Sequence, residues 1–303
     1  MAEGRPPIGY IDPNFPNPNT PDDARIIIYG YTPSFVLAIL AIVLFAISAI
    51  AHGFQLRRYK TWYFTPMCVG TIMEIVGYAA RMLSSRRSPY NVKYFVIQYF
   101  FIVTAPVLFS ASIYTLLSAL ILRIPNGRAY APLRPKLIIW IFVTCDVIAT
   151  CIQVGGAAGI GVSQTNNKDP TMANNILLGG LAFQVAAFFL FEVLLAIFLF
   201  RARNTIRGRP DRKEGLPVSS HEQSVQQERV SIWFIVAMVV ASVLVYLRTC
   251  FRLAETAQGI FGELTSNEVY FGCLEFMPVI VAVYLFNIWH PGRCIGPGNR
   301  LAA

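Results

Sequence analysis

The chain has 303 residues, of which 55% are hydrophobic and only 14% charged. Soluble domains carry about a quarter of their residues charged, so this composition argues against a soluble enzyme and for a polytopic membrane protein. The formal net charge of +9 then reads as basic loops that fix topology rather than as a nucleic-acid surface.

In chain order, the segment MAEGRPPIGYIDPNFPNPNTPDD is rich in Pro, Asn and Asp and has no apolar h-region. It is not a cleaved signal peptide, which leaves the first apolar run to act as the anchor. Residues 1–32 are expected to be an extracellular tail, 33–292 a seven-helix membrane domain and 293–303 a short cytoplasmic tail. A spanning helix needs roughly 20 mostly apolar residues, and seven runs qualify. Ser34–Ala51 has no charge. Trp62–Ala80 has only Glu74. Tyr94–Leu122 has none, and is long enough to span with tilt. Leu137–Ser163 has only Asp146, and Ile176–Phe200 only Glu192. Val230–Leu247 has none, and Val269–His290 has only Glu275. The runs are continuous rather than alternating, which predicts an all-α bundle rather than a barrel.

Of the 25 Lys and Arg, 16 fall in the loops after the first, third and fifth runs and in the C-terminal tail. The positive-inside rule then places the N-terminus outside and the C-terminus in the cytosol. The longest polar stretch, residues 201–229, has a basic start and reads as a solvated cytoplasmic loop. There is no clear internal repeat of the kind built into many transporters. Four of the six cysteines lie inside runs as small hydrophobes. Cys250 and Cys273 fall at similar depth, but nothing else supports a bridge between them.

Ionisable groups inside spans are costly and usually face a polar interior. Glu74 and Arg81 are seven apart, on one helical face, with Tyr78 between them. Asp146 and Gln153 share the same spacing, as do Glu268 and Glu275. Arg248, Arg252 and Glu255 follow one another at three or four residues near the end of the sixth run. Gln98 and Gln184 lie in the third and fifth. With the topology above, most of these twelve residues fall in the outer half of the membrane and build one polar region. Two readings compete: side chains that pair to fix the bundle, and the lining of a site for a ligand headgroup. Glu74 is expected to take Arg248 or Arg252 as its partner. Glu275 and Asp146 have no basic residue in their own runs, so each would be desolvated and would either protonate or await a cation.

Eight motifs stand in order: YGYTPS, EIVGYAAR, APVLFSASIYTLL, FVTCDVIATCIQVGG, GLAFQ, LRTCFRLAE, NEVYFGCLEFMPV and HPG. Each is weak alone, but together they are specific. The chain resembles the fungal RTA-like family of lipid-translocating exporters, similar to the aminocholesterol-resistance and sphingoid-base-release proteins of yeasts. The resemblance spans roughly residues 29–292. It implies seven helices, an outer N-terminus, the plasma membrane, and export of amphipathic lipids with resistance to toxic amphiphiles. In the family pattern an acidic residue follows the aromatic pair of the last helix, and Glu275 holds that place. The expected partner is thus a membrane lipid or amphiphile, with no nucleic acid and no cofactor.

A seven-helix receptor and a membrane lipid hydrolase are the competing classes. The topology and the basic loop suit a receptor, although topology alone is a fold-level analogy. Zinc hydrolysis wants at least three metal ligands. The three histidines are His52 and His290 at helix ends and His221 in the polar loop, so neither a metal site nor a catalytic set is expected. No Walker A sequence is present, so ATP would not drive transport directly.

Overall fold

A computed structural model describes residues 10–18, 23–24, 27, 29–165, 169–206, 231–259 and 262–295. His221 and most of the 201–229 loop lie outside these residues. The described structure is helical, and each long helix is bounded by local chemistry. Helix α1 (Phe35–Tyr59) starts at Ser34, whose hydroxyl accepts from Leu37 N, and stops where Lys60 turns left-handed at φ 52°. Helix α2 (Thr65–Arg86) has a proline in its first turn, where the missing N–H costs nothing. Helix α3 (Val92–Arg123) is capped by Asn91 and contains Pro106. Helices α4 (Pro135–Thr165) and α5 (Thr171–Ile206) form an antiparallel pair. Helix α6 (Ile232–Gln258) ends at Gly259, whose φ of 77° suits glycine. Helix α7 (Glu268–Cys294) is interrupted by a π-helical segment, Phe271–Phe276, and by Trp289 and His290 before its last turn.

Six helices, α1 and α3 to α7, are long and apolar enough to cross a membrane. Helix α2, which the sequence counts as a seventh span, does not meet that measure. It is 22 residues long but holds Glu74, Arg81 and Arg86. Its polar face is turned inward: Thr71, Glu74, Tyr78 and Arg81 are all buried, and the helix is packed between α1 and α3. The exterior of the bundle is apolar, as Val36, Leu40, Ile47, Ile50 and Phe54 on α1 illustrate.

Close approach of α2 to α3 depends on two glycines. A Cβ on Gly77 would lie 2.6 Å from Ile102 Cγ1, and one on Gly70 would lie 2.7 Å from Phe109. The core that results is aromatic. Tyr78 stacks on Phe45 and meets Phe276 edge-on, while Tyr114 gathers Phe142, Phe188 and Phe191.

The structure adds detail at three places. The described residues of the tail before α1 pack down on the bundle. Ile27, Tyr29 and Tyr90 form a small apolar cluster, Tyr90 donates to Phe15 O, and Thr32 donates to the Asp12 carboxylate. His52 and His290, near the ends of α1 and α7, are both buried, with ring centroids 6.3 Å apart, in a seam between the two helices. Cys250 and Cys273 are both free thiols, the latter exposed.

The glycine contacts set a test. Gly77→Ala should cost about 1–3 kcal/mol through overpacking. Gly155→Ala, with nothing within 4 Å of its added carbon, should leave stability level or slightly higher. Thermal unfolding of the purified variants in one detergent compares the two. Equal stability would mean that α2 and α3 can part without loss.

Candidate functional site

The charged residues meet where α2, α3, α6 and α7 converge. Pro106 has no N–H to give to Ile102 O, four residues earlier, so this carbonyl is left open. Arg248 fills it: Nη2 donates to Ile102 O at 2.9 Å. The same nitrogen forms an ion pair with Glu275 Oε1. Arg248 and Glu275 are each about 2% exposed. Glu275 stands in the π-helical segment Phe271–Phe276, followed by Pro278, a geometry found mostly as single turns at functional sites.

Glu74 faces this pair from α2. Arg248 attracts it and Glu275 repels it, yet among the described residues it receives no hydrogen bond. The expected Glu74–Arg248 or Glu74–Arg252 bridge is therefore corrected. Arg248 is taken by Glu275, and Arg252 by Glu255 at 2.5 Å on its own helix, with its guanidinium 5.1 Å from the Tyr99 ring. Glu275 consequently does not await a cation, because α6 provides one. Helical spacing within one chain segment could not reveal a partner from another.

At the tail end of the bundle, Arg81 is 1% exposed and serves two partners. Its Nη2 donates at 2.7 Å to both Tyr31 Oη and Glu268 Oε1. The guanidinium also lies 4.0 Å from the Phe271 ring centroid. Glu268 in turn accepts from Ser34 N, so one carboxylate ties the starts of α1 and α7 to the end of α2. Tyr29 donates to Gln98 Oε1 at 2.8 Å. Burial pushes the Tyr29 hydroxyl up to about 12, so it stays a donor at any physiological pH. Burial raises the Tyr31 hydroxyl as well.

The remaining expected residues lie apart from this cluster, so the single polar region divides. Asp146 accepts from Ser110 at 2.6 Å and from Tyr114 at 3.0 Å, both on α3. Gln153 donates to Gln184 at 2.8 Å, joining α4 to α5. Both donors to Asp146 reach the same oxygen, Oδ2, and all of these donors are neutral. Sequence spacing missed Tyr29, Tyr31, Ser110 and Tyr114. The last two, four residues apart on an uncharged run, were the readable sign of a polar face. Two apolar grooves, of about 350 Å³ along Phe35–Val43 and 180 Å³ between Leu44 and Tyr284, lie on α1 and the α1–α7 boundary, away from the charges. Among the described residues no group of three or more His, Cys, Asp or Glu is placed to hold a metal.

Residues 67–297 match the family model described as RTA1 like protein. The chain belongs to that family. Among curated proteins, this RTA1-like chain is 29% identical over 280 residues to the sphingoid long-chain base transporter RSB1 of Saccharomyces cerevisiae (strain Lalvin EC1118 / Prise de mousse), covering 87% of this chain and 73% of the relative. It is 27% identical over 299 residues to the lipid-translocating exporter-like protein RTA1 of Leptosphaeria maculans, covering 90% of this chain and 52% of the relative. It is 29% identical over 226 residues to Protein RTM1 of S. cerevisiae, covering 74% and 66%. No solved structure matches. With its apolar helices, the RTA1-like chain is an integral membrane protein.

The Arg248–Glu275 pair has an asymmetric energetic signature. Arg248→Met should cost about 3–5 kcal/mol, because it strands a buried carboxylate, whereas Arg248→Met with Glu275→Leu should recover most of the loss. Detergent melting curves of the single and double variants measure this. A double variant no better than the single would show that the pair matters through Ile102 O and shape rather than charge.

Proposed function

We propose that this protein is a lipid-translocating exporter of amphipathic lipids, sphingoid bases among them, and that it protects cells from toxic amphiphiles. The observation that carries the reading is the charged cluster of Glu74, Arg248 and Glu275, buried inside a bundle whose exterior is apolar. A membrane protein that needed only a stable core would gain from apolar residues there. A headgroup passing between leaflets needs charged and polar groups at depth, and the names of the relatives point the same way. Tyr78, Arg81 and Glu268 continue the cluster toward the tail end, with Gln98, Arg252 and Glu255 beside them. Asp146, Gln153 and Gln184 would line a second, neutral polar surface. Helix α2 acts in this reading as a seventh span, with the N-terminus outside, the C-terminus cytosolic and the plasma membrane as the site of action.

The test is the purified protein in liposomes with a fluorescent sphingoid base and a leaflet-selective quencher. Movement between leaflets should exceed that in protein-free vesicles. Binding without movement would favour a lipid-sensing receptor instead. Topology is checked separately in intact cells. A tag at the N-terminus should be reached by antibody from outside, and one after Ala303 should not. Tags on the same side would refute the seventh span.

A further inference from the structure

Within the helices, Glu74 differs from every other described carboxylate. Glu275 holds Arg248, Asp146 holds two hydroxyls and Glu192 holds Ser242. Glu74 is 2% exposed and receives no hydrogen bond among the described residues. Around it stand groups of α2, α6, α7 and α1, and on α3 the Ile102 carbonyl, held by Arg248. On its own helix, Tyr78 lies one turn away, and Arg81 is bound to Tyr31 and Glu268. From α6 comes Arg248, already spent on Glu275 and Ile102 O. From α7 comes Glu275, whose Oε2 has no partner and whose charge opposes that of Glu74. From α1 comes the aromatic ring of Phe45, stacked on Tyr78. Two carboxylates thus share Arg248, while Arg252, whose charge also reaches Glu275, is balanced by Glu255. If both were ionised, the cluster would bury a net negative charge, which low dielectric forbids without a further cation.

We propose that Glu74 carries an exchangeable proton, given up one for one when a cationic amphiphile binds, so that export of the amphiphile is driven by a proton gradient. This rests on the exporter reading and supplies its energy source. In the closed state the cluster is neutral: Glu74 protonated, Glu275 negative, Arg248 positive. When the ammonium arrives, the Glu74 proton leaves to the water that admitted it, and carboxylate and ammonium pair. The cluster is neutral again. When the ammonium departs on the other side, a proton from that side takes its place. Neither half of the cycle leaves an uncompensated charge in the core, so both are accessible.

Two measurements decide it. The first needs no transport. Infrared spectra of the purified protein at neutral pH should show a protonated carboxyl band that Glu74→Gln removes and Glu275→Gln retains. Glu74→Gln mimics the protonated acid, so it should melt with wild type. If it fails to fold, Glu74→Asp should shift the band instead. A wild-type protein without the band, or a band untouched by the Glu74 substitutions, overturns the proposal. The second uses proteoliposomes with a trapped pH dye and N,N,N-trimethylsphingosine, whose fixed charge cannot shed a proton of its own. Amphiphile entry should drive protons out, and a one-unit pH gradient should sustain roughly tenfold accumulation, the ratio set by one-for-one exchange. Glu74→Gln should lose both. Wild-type movement without proton flow, or movement of sphingosine but not of its trimethyl form, overturns the coupling and leaves the exporter reading intact. No lipid movement in any arm overturns the exporter reading, while the infrared result still decides whether Glu74 holds a proton.

Discussion

A charge cannot be left alone in the interior of a membrane protein, and the arrangement around Arg248 follows from that constraint. The guanidinium is almost fully buried, so it must find oxygen acceptors within the bundle. One comes from α7 as Glu275. The other comes from α3, where Pro106 leaves the Ile102 carbonyl without its helical donor. A proline that would weaken a helix in water therefore becomes an acceptor site here. Gly77 has a related role, since a side chain there would strike Ile102 and push α2, with Glu74, away from the pair. Proline, glycine, arginine and glutamate on four helices form one interdependent unit.

The second buried arginine is held differently. Arg81 shares its Nη2 between a phenol and a carboxylate, and Phe271 covers its face. Glu268 is 23% exposed, so this pair sits at the edge of the low-dielectric region and is screened by water more than the Arg248 pair. Its effect is chiefly geometric. Through Ser34 N, Glu268 fixes where α1 begins, and Tyr31 brings the preceding tail down on α2. The YGYTPS motif is thus docked on the bundle by two tyrosines, with Thr32 donating to Asp12.

Much of this was legible in the sequence, for a physical reason. Charge is so costly in an apolar run that any Glu or Arg there stands out, and Glu74, Asp146 and Glu275 are indeed buried, with Glu192 half-buried. The partners were not legible. Spacing gives the face of one helix, but the rotation of its neighbours is set by packing, so Arg248 went to Glu275 rather than to Glu74. The carbonyl opened by Pro106 and the π-helical turn at Glu275 are backbone events, invisible to a count of charges. Helix α2 shows the opposite difficulty. Its apolar character is diluted by Glu74 and Arg81, which face inward.

The division of the polar residues into charged and neutral groups also constrains motion. Asp146 with Ser110 and Tyr114, and Gln153 with Gln184, are satisfied by neutral donors and hold α3, α4 and α5 together. Helix α2 is seated on α3 by glycine contacts that tolerate no added atom. These four helices behave as one block. Contact between that block and α6 and α7 runs through the Ile102 carbonyl, the Arg81–Glu268 ion pair, Tyr78 against Phe271 and Phe276, and Glu192 and Phe188 of α5 against Ser242 and Tyr246 of α6. In the exporter reading proposed above, uncovering Glu74 would separate α6 and α7 from α2 and α3. The π-helical turn and Pro278 lie beside Glu275, where α7 already lacks a regular hydrogen-bond ladder and can bend at the lowest cost. Keeping Arg248 and Glu275 together during that separation would move a neutral pair instead of two charges, the smaller electrostatic burden of the two.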